Sequence, residues 1–438
     1  MTYYIDPAKG DARNDGRSEN APLLSADDRI FEPGDIVLFK RGSVIRSALF
    51  LCSGNEAGSI TYGAYGEGEN PTVNPSVAAS NPSQWSEESP GIWRFNEPLP
   101  SEPCNIIFND GEAFGNLRWS VGDLKQTGEW TCSRLGYSMI YEEPAANSGT
   151  LYLACNENPA KVYRTIELVI WGERKAVHAQ SYVVIENMTF EKSGVHGFSA
   201  TRAQHIHIRN CKFRCIGGGV FDFDQRVRLG NAVEFWNGAN DCVVEHCFFE
   251  DIYDAGVTHQ GNAGSSVPQR LIFRHNLFRR CGLAAYEWRG PSSKDIVFED
   301  NRCMEAGGAF TMQGEQLPRR TETIDDIRAC VFVLIWLKEQ DLPEDDVSCS
   351  IRNNEFYAAP GCEAILLSTL DSRARRQFII NNNQYFLPAQ QAPAGQILAR
   401  INGTAYYAED YRAYQADTGQ DRNSHFIIAE DEQQRSYA

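Results

Sequence analysis

The sequence predicts an all-β chain wound as a parallel β-helix, a solenoid in which each coil stacks on the previous one. Three observations predict it: a short segment of alternating apolar residues recurs, an aromatic residue closes most copies, and Asn, His or Asp precedes that closure. The copies are VVIENMTF (183), IHIRNCKF (206), CVVEHCFF (242), LIFRHNLF (271), IVFEDNRC (296), CSIRNNEF (349) and FIINNNQY (378).

The final positions of these segments give the length of a coil. They are separated by 23, 36, 29, 25, 53 and 29 residues. A unit of about 25 residues with alternating strands fits coils that stack about 4.8 Å apart. The interval of 53 residues is interpreted as two coils, with RACVFVLIW (328–336) as the missing strand. Leucine-rich repeats share the period, but the sequence lacks their fixed leucines.

Each coil has a second strand after its turn, and alternation within that strand sorts its two faces. The second strands are NAVEFWN (231), DAGVTHQ (254), LAAYEWR (283), GGAFTMQ (307) and CEAILLS (362). The residues predicted to point inward are Val233, Phe235, Val257, His259, Tyr286, Trp288, Phe310 and Met312. The residues predicted to point outward are Glu234, Trp236, Thr258, Gln260, Glu287, Arg289, Thr311 and Gln313. One outer wall is therefore expected to collect polar side chains from successive coils.

The regular coils are predicted to be interrupted by one insertion. Residues 1–83 are interpreted as N-terminal coils, and residues 84–170 as a β-rich insertion of aromatic-rich hairpins beside the helix. The main β-helix is expected over 171–390, followed by a C-terminal cap and tail over 391–438 with a short helix in AEDYRAYQAD. Within the main helix, GGGVFDFDQRVRLG (217–230) is expected to form one wall of a cleft.

Composition and charge restrict the partners. The net charge of −17 and the pI near 5.0 argue against nucleic acid and anionic membrane surfaces as partners. MTYYIDPAKG lacks a signal-peptide profile, so we expect a cytoplasmic protein, or a secreted one if a leader has been removed. The 13 cysteines show no zinc-type spacing and are expected to be buried free thiols.

Several stretches that together cover most of residues 10–320 carry a resemblance to a known superfamily. They are GDARNDGRS, EPGDIVLFKRG, ITYGAYGEG, SYVVIENMTF, GNAVEFWNGA, DIYDAGVTHQG, LAAYEWRG and FTMQGEQLPRR. In them the chain resembles the pectate-lyase-like superfamily of right-handed parallel β-helix proteins, and more narrowly the bacterial right-handed β-helix repeat group that includes carbohydrate-active enzymes. The resemblance implies a single-stranded right-handed coil. It implies no single activity, because the superfamily includes lyases, hydrolases, epimerases and phage-type proteins.

The outer wall carries the residues expected to perform chemistry. A glycoside hydrolase needs two carboxyl groups across the scissile bond. Glu234 and Glu287 occupy corresponding positions two coils apart, which is about 9.5 Å from twice the strand spacing. Asp254 begins the strand between them. These three are the predicted catalytic residues, and both the inverting and the retaining mechanism stay open.

A second set of residues is predicted to bind the sugar. Trp236 offers a flat apolar face to a ring, and the amides and Arg289 can donate to hydroxyls. The predicted set is Trp236, Thr258, His259, Gln260, Trp288, Arg289, Gln313, Asp222 and Asp224. Within it, a packed core position is favoured for His259 over a general base, and a surface loop is favoured for Asp222 and Asp224 over a position that faces the cleft or binds a cation.

The favoured function is hydrolysis of a glycosidic bond in an oligo- or polysaccharide, with no cofactor and no metal. The first alternative is a polysaccharide lyase or uronate epimerase, which needs Arg, Lys or Ca²⁺ and a base. For it, the cations would be Arg289, Lys294, Arg226 and Arg228, and the calcium ligands Asp222, Asp224 and Asp251. The second alternative is a non-catalytic glycan-binding protein. Assembly into a homo-oligomer through the open flank stays an alternative.

Overall fold

The computed structural model of the 438-residue chain consists of three long sheets and an insertion. It describes residues 1–136, 149–172, 174–178, 181–262, 266–290, 293–306, 331–336, 348–358, 365–368, 378–388, 397–401 and 403–429. Within these residues each long sheet has ten strands, and neighbouring strands are parallel except for Ile397–Ile401 and Thr404–Tyr407, which are antiparallel. The predicted parallel β-helix is thereby confirmed.

A coil visits the three sheets in the order sheet 1, sheet 2, sheet 3. Sheet 1 contains Thr2–Ile5, Ile36–Lys40, Ile60–Tyr65, Val183–Glu186, Ile206–Arg209, Asn240–Glu245, Gln269–Arg274, Lys294–Glu299, Cys349–Arg352 and Phe378–Asn381. Sheet 2 contains Val44–Ile45, Thr72–Val73, Thr189–Glu191, Lys212–Ile216, Phe248–Ile252, Leu277–Cys281, Arg302–Met304, Glu355–Tyr357, Gln384–Pro388 and His425–Ala429. Sheet 3 contains Leu49–Phe50, Lys175–His178, His196–Thr201, Val233–Trp236, Ala255–Gln260, Ala284–Arg289, Val333–Trp336, Ile365–Ser368, Ile397–Ile401 and Thr404–Tyr407.

The remaining strands form the insertion and one hairpin. A four-stranded sheet contains Val77–Ala78, Pro103–Phe108, Ala113–Phe114 and Ile166–Ile170. A five-stranded sheet contains Trp85–Ser89, Ile92–Phe95, Asn116–Leu117, Glu129–Cys132 and Leu151–Ala154. The hairpin pairs Gly219–Asp222 with Val227–Leu229. We call it the wall hairpin.

The helices of the described residues are few and short. The α-helices among them are Pro159–Val162 and Tyr411–Thr418, and the 3₁₀ turns are Ala26–Asp28, Pro82–Gln84, Asn109–Gly111, Val121–Asp123 and Ala408–Asp410. Within the described ranges, none of them has the length and apolarity needed to cross a bilayer. The α-helix Tyr411–Thr418 falls where AEDYRAYQAD predicts one.

The aromatic column predicted from the repeat lies inside the solenoid. Phe190, Phe213, Phe249 and Phe278 are directly in register across sheet 2, with ring centroids 4.7 to 5.2 Å apart. The column continues through Cys303, Phe356 and Tyr385. Burying each such ring contributes roughly 1.5 to 3 kcal/mol, so the column is a main source of stability.

The positions three and two residues before the closing residue of each copy have different roles. The first position has left-handed backbone, with φ between +52° and +58°, at Asn187, Asn210, His246, His275, Asp300, Asn353 and Asn382. Asn, Asp and His are enriched in this region because it is costly for most other side chains. This turns the chain from sheet 1 into sheet 2.

The second position is Met or Cys in the first three copies and forms a ladder of buried amides in the next four. In Asn301, Nδ2 donates to the carbonyl of Phe273 at 2.9 Å and Oδ1 accepts the backbone N–H of Asn276 at 2.9 Å. The same pattern recurs at Asn276, Asn354 and Asn383. Each amide therefore satisfies backbone groups that the bend leaves without a sheet partner.

One predicted pair of coils is a single coil. Lys294–Glu299 pairs directly with Cys349–Arg352, and Val333–Trp336 is the sheet 3 strand between them. The interpretation of the 53-residue interval as two coils is therefore wrong, since long turns can extend a solenoid coil without adding a layer. The predicted strand at 307–313, with Gln313, lies outside the described residues, and 333–336 occupies the position expected for it.

The boundaries of the insertion and cap also differ from the expected ones. Val77–Ala78 already pairs with Ile166–Ile170, so the insertion begins before residue 84. At the other end, Ile397–Ile401 and His425–Ala429 still extend sheets 3 and 2, so the coils continue past residue 390. The 11 described cysteines are free, and all except Cys52 are buried, as predicted.

The amide ladder predicts a large stability loss from one truncation. We expect Asn301→Ala to lower the free energy of unfolding by about 3 kcal/mol, because it leaves buried backbone groups without partners. Urea denaturation followed by circular dichroism measures this. Asn20→Ala, at an exposed turn, is the matched control and should change little. Equal midpoints for the two variants would contradict a structural role for the ladder.

Candidate active site

The outward face of sheet 3 carries the predicted wall of polar side chains. One column contains Ser199, Glu234, Thr258 and Glu287 in direct register, so Glu234 and Glu287 are two strands apart. The adjacent outward column contains Thr201, Trp236, Gln260 and Arg289. The predicted alternation of faces in these strands is confirmed, because Val233, Phe235, Val257, Tyr286 and Trp288 are fully buried in the core.

A cavity of about 730 Å³ lies against this wall. Of the predicted site residues, it is lined by Asp222, Glu234, Trp236, Asp254, Gln260, Glu287 and Arg289. The wall hairpin closes one side with Phe221, Gln225, Val227 and Leu229. The expectation that residues 217–230 form a wall of a cleft is confirmed. The volume is in the usual range for small-molecule sites, about 300 to 1,000 Å³.

The base of the wall hairpin requires glycine at two positions. Gly217 and Gly230 have φ of +98° and +153°, and a Cβ on Gly230 would lie 2.2 Å from the Cα of Gly217. Arg228 anchors the hairpin, since its guanidinium donates to the carbonyls of Gly218 at 2.7 Å and Cys104 at 2.8 Å. The cavity wall is thus fixed to the insertion.

Glu287 is a carboxylate held on both oxygens. Its Oε1 accepts hydrogen bonds from Arg289 Nε at 2.8 Å and Nη2 at 2.7 Å. Its Oε2 accepts from Thr258 Oγ1 at 3.2 Å and Gln260 Nε2 at 3.0 Å. A carboxylate has about four lone-pair positions, so these donors occupy them. Glu287 therefore presents a fixed negative charge rather than a free acceptor.

Glu234 is surrounded by neutral donors. Its Oε2 accepts from Ser199 Oγ at 2.9 Å, and its Oε1 accepts from Asn231 Nδ2 at 3.2 Å. His196 Nε2 faces Oε2 at 3.4 Å. A hydroxyl can donate or accept, so the contact with Ser199 suits either protonation state of Glu234.

The tautomer of His196 follows from its other ring nitrogen. Nδ1 accepts the backbone N–H of Asn231 at 3.2 Å, which places the proton of a neutral ring on Nε2, toward Glu234. Burial lowers the pKa of His196, and the carboxylates of Glu234 and Asp254 only partly oppose this shift. The ring is therefore a neutral donor at neutral pH.

Asp254 connects the wall hairpin to sheet 3. Its Oδ2 accepts the backbone N–H of Gly230 at 2.7 Å, and its own N–H donates to the Gly230 carbonyl at 2.8 Å. Its side chain is buried like that of Glu234, and both line the cavity. The three predicted catalytic carboxyl groups therefore share one cavity.

Several cavity residues are not among those predicted from the sequence. His196, Ser199 and Asn231 hold Glu234, and Arg174 and Lys175 line the same cavity. Burial lowers the pKa of Lys175, although the nearby Glu234 charge opposes the shift, and its Nζ donates to the Ser199 carbonyl at 2.8 Å. The available signal was VHGFSAT (195–201), which is the sheet 3 strand one coil before Glu234.

Four predicted sugar-binding residues lie elsewhere. Trp288 and His259 are fully buried among core aromatics, with 5.0 Å between their ring centroids, because their positions alternate inward. Thr258 is also fully buried, and its Oγ1 donates a hydrogen bond to Glu287. Asp224 is exposed at the hairpin turn and does not line the cavity. A direct sugar contact is therefore a wrong expectation for the three buried residues, that of Asp224 stays a prediction, and Gln313 lies outside the described residues.

Of the cations and acids proposed for the lyase alternative, Arg289 and Asp222 line the cavity, and the others lie elsewhere. Arg228 is buried and bonded to carbonyls, Arg226 lies 5.8 Å from the Trp119 ring, and Lys294 is on sheet 1. Asp251 is on sheet 2 and pairs with Arg280 at 2.6 Å. Within the described ranges, no group of three or more His, Cys, Asp or Glu residues is arranged to hold a metal ion. The proposed Asp222, Asp224 and Asp251 calcium site is therefore not formed.

Residues 174–384 match the family model described as "Right handed beta helix region". The match covers the wall hairpin and the sheet 3 strands that carry Glu234, Asp254 and Glu287. It agrees with the three parallel sheets, which give the chain the fold of a parallel β-helix. The resemblance seen in the sequence is confirmed at this level.

Solved structures share this fold. The chain is similar to the GH136 lacto-N-biosidase from Eubacterium ramulus at 14% identity and a TM-score of 0.52, over 98% of this chain and 68% of that one. It is also similar to an alginate lyase from Paenibacillus sp. str. FPU-7 at 9% identity and a TM-score of 0.49, over 98% of each chain. No curated protein sequence matches the chain. At these identities the likeness concerns the fold.

The buried His259 is expected to make the folded protein less stable at acid pH. Burial lowers its pKa to about 3, and neither ring nitrogen has a hydrogen-bond partner in the described structure. Below pH about 6.5 the His259 ring is protonated in the unfolded chain but stays neutral in the folded protein. The free energy of unfolding therefore falls by about 1.4 kcal/mol for each unit by which the pH decreases. His259→Phe should remove this pH dependence. The free energy of unfolding of the variant, relative to that of the wild type, should therefore rise as the pH falls from 6.5 toward 3.

Urea denaturation at a series of pH values measures this difference. Asn20→Ala, which replaces a non-titrating side chain at an exposed turn, is the control and should leave the slope of stability against pH unchanged. Parallel slopes for the wild type and His259→Phe would show that His259 is protonated in the folded protein.

Proposed function

We propose that this protein is a carbohydrate-active enzyme that hydrolyses a glycosidic bond in the sheet 3 cavity. The observation that carries the proposal is that Glu234, Asp254 and Glu287, exposed by 7%, 5% and 1%, line one cavity with Trp236 beside them. Glycoside hydrolysis needs one carboxyl group that donates a proton and one that acts as base or nucleophile. The half-buried Trp236 offers its ring face to a sugar.

The hydrogen bonds suggest a role for each carboxyl group. Glu234 is assigned as the proton donor, because the Ser199 hydroxyl can donate a hydrogen bond to the ionised carboxylate or accept one from the protonated carboxyl group. Asp254 is assigned as the base or nucleophile, because the N–H of Gly230 suits an ionised acceptor. Glu287 keeps its charge near the reacting carbon and orients Arg289 and Gln260 toward hydroxyls. A fixed negative charge stabilises an oxocarbenium-like transition state.

The second candidate is a lyase or epimerase acting on uronate sugars. Arg174, Lys175 and Arg289 line the cavity, and a uronate carboxylate needs such positive groups. The lowered pKa of Lys175 also suits a base that removes a C5 proton. Hydrolysis is preferred because three carboxyl groups face the same space, where they would repel a uronate. Hydrolysis needs no metal or cofactor, whereas Ca²⁺ belongs to the lyase candidate.

The carboxyl variants test the assignment. We expect Glu234→Gln and Asp254→Asn each to lower kcat by about 10² to 10⁴, since each removes a proton-transfer group. Glu287→Gln should lower kcat and also raise KM, because it releases Arg289 and Gln260. Glu299→Gln, an outward glutamate on sheet 1, is the control. Near-normal turnover in both Glu234→Gln and Asp254→Asn would refute the assignment.

The products distinguish the two candidates. A panel of neutral and uronic oligosaccharides should give new reducing ends and no ultraviolet absorbance from unsaturated sugars. Activity should survive a chelator. Absorbance that rises with cleavage, or isomerised uronate without cleavage, would favour the second candidate instead.

A further inference from the structure

A second, smaller pocket of about 330 Å³ lies where the insertion meets the wall hairpin. The insertion supplies Trp119, Val121, Thr131, Ser133 and Arg134, and the wall hairpin supplies Phe223. The volume is at the lower end of the range for small-molecule sites, about 300 Å³ and above. The function proposed above does not use this pocket.

The wall hairpin is common to both pockets. Phe221 and Asp222 line the main cavity, whereas Phe223, the next residue, lines the second pocket. Phe223 meets Trp119 edge to face, with ring centroids 5.5 Å apart. A Cβ on Gly136 of the insertion would lie 3.1 Å from the Cβ of Phe223, so the two segments are in close contact. A chain leaving the main cavity over the hairpin would therefore reach the second pocket.

Thr131 provides an independent sign of a missing partner. Its side chain is 1% exposed, and its Oγ1 has no hydrogen-bond partner within the described structure. Its neighbours Trp130 and Cys132 pack into the core of the insertion, and Thr131 lines the pocket together with Cys132. A buried hydroxyl without a hydrogen-bond partner lowers the stability of the folded protein by about 1 to 3 kcal/mol. A ligand bound in the pocket would supply the partner.

The lining suits a sugar ring. Trp119 and Phe223 supply aromatic surface, and the exposed Val121 and Phe223 leave part of that surface open to solvent. Thr131, Ser133 and Arg134 bring polar groups to the same pocket. Aromatic surface beside a few hydrogen-bonding groups is the combination that recognises a ring with an apolar face and hydroxyls at its edge.

We propose that this pocket is an accessory subsite that binds a pyranose residue of the same carbohydrate chain whose reacting bond occupies the main cavity. The inference rests on the proposed function and extends it to a substrate class: chains long enough to pass over the wall hairpin. Long oligosaccharides are then better substrates than short ones, because they fill both pockets.

Chain-length dependence tests the subsite. Wild-type kcat/KM is measured on oligosaccharides from disaccharide to octasaccharide, together with Thr131→Val and Trp119→Ala. Both variants should match the wild type on chains too short to reach the second pocket. On long chains Thr131→Val should lose roughly fivefold, the equivalent of one hydrogen bond, and Trp119→Ala roughly tenfold. Thr404→Val, at an exposed strand far along the solenoid, is the matched control.

Stability separates binding from folding in this experiment. Thr131→Val replaces an orphaned hydroxyl with a methyl group of similar size, so its unfolding midpoint should equal or exceed that of the wild type. A loss on long chains with intact stability supports the subsite. An identical length dependence in the wild type and both variants overturns it, even where short chains are hydrolysed.

Failure of the proposed function leaves the subsite testable. In that case no oligosaccharide is hydrolysed, and calorimetry measures the binding of the octasaccharides to Glu234→Gln with and without Thr131→Val. Weaker binding of the doubly substituted protein supports the subsite without hydrolysis. Equal affinities, or no binding by either protein, overturn it.

Discussion

The hydrogen bonds that join equal positions of successive coils are the constraint on which the rest of the structure depends. From Ser199 through Glu234, Thr258 and Glu287, sheet 3 keeps one register without a bulge. Because side chains alternate in a strand, a slip of one residue would turn both glutamates into the core and expose apolar residues. The buried amides at the bend, from Asn276 to Asn383, join the later coils to one another and so help to keep this register.

The same stacking supplies partners to carboxyl groups that would otherwise be costly to bury. Each carboxyl group accepts a hydrogen bond from a neighbouring strand or turn: Glu234 from Ser199, Asp254 from Gly230, and Glu287 from Thr258. The solenoid therefore builds a polar site from groups that are far apart in sequence. The wall hairpin then converts an open sheet face into a cavity by excluding solvent from one side.

Features that recur in every coil could be predicted from the sequence, whereas features that occur once could not. The core aromatics, the left-handed residues and the outward column of Glu234 and Glu287 were predictable, because each is one of several equivalent positions. His196 and Lys175 were not, since their importance comes from contacts with Glu234 and Ser199 across the stack. The long coil after Cys303 was misjudged because spacing alone cannot distinguish a long turn from an added layer. The burial of Trp288 followed from alternation, which should have excluded it from the site.

The central claim is that the outer wall of sheet 3 binds a carbohydrate chain with its reacting bond between Glu234 and Asp254. A crystal structure of the Glu234→Gln protein soaked with a long oligosaccharide tests it most directly. The account predicts a sugar ring on the face of Trp236 and a glycosidic oxygen within hydrogen-bond reach of the substituted side chain. A sugar bound on another sheet, or a cavity that stays empty at saturating ligand, would contradict it.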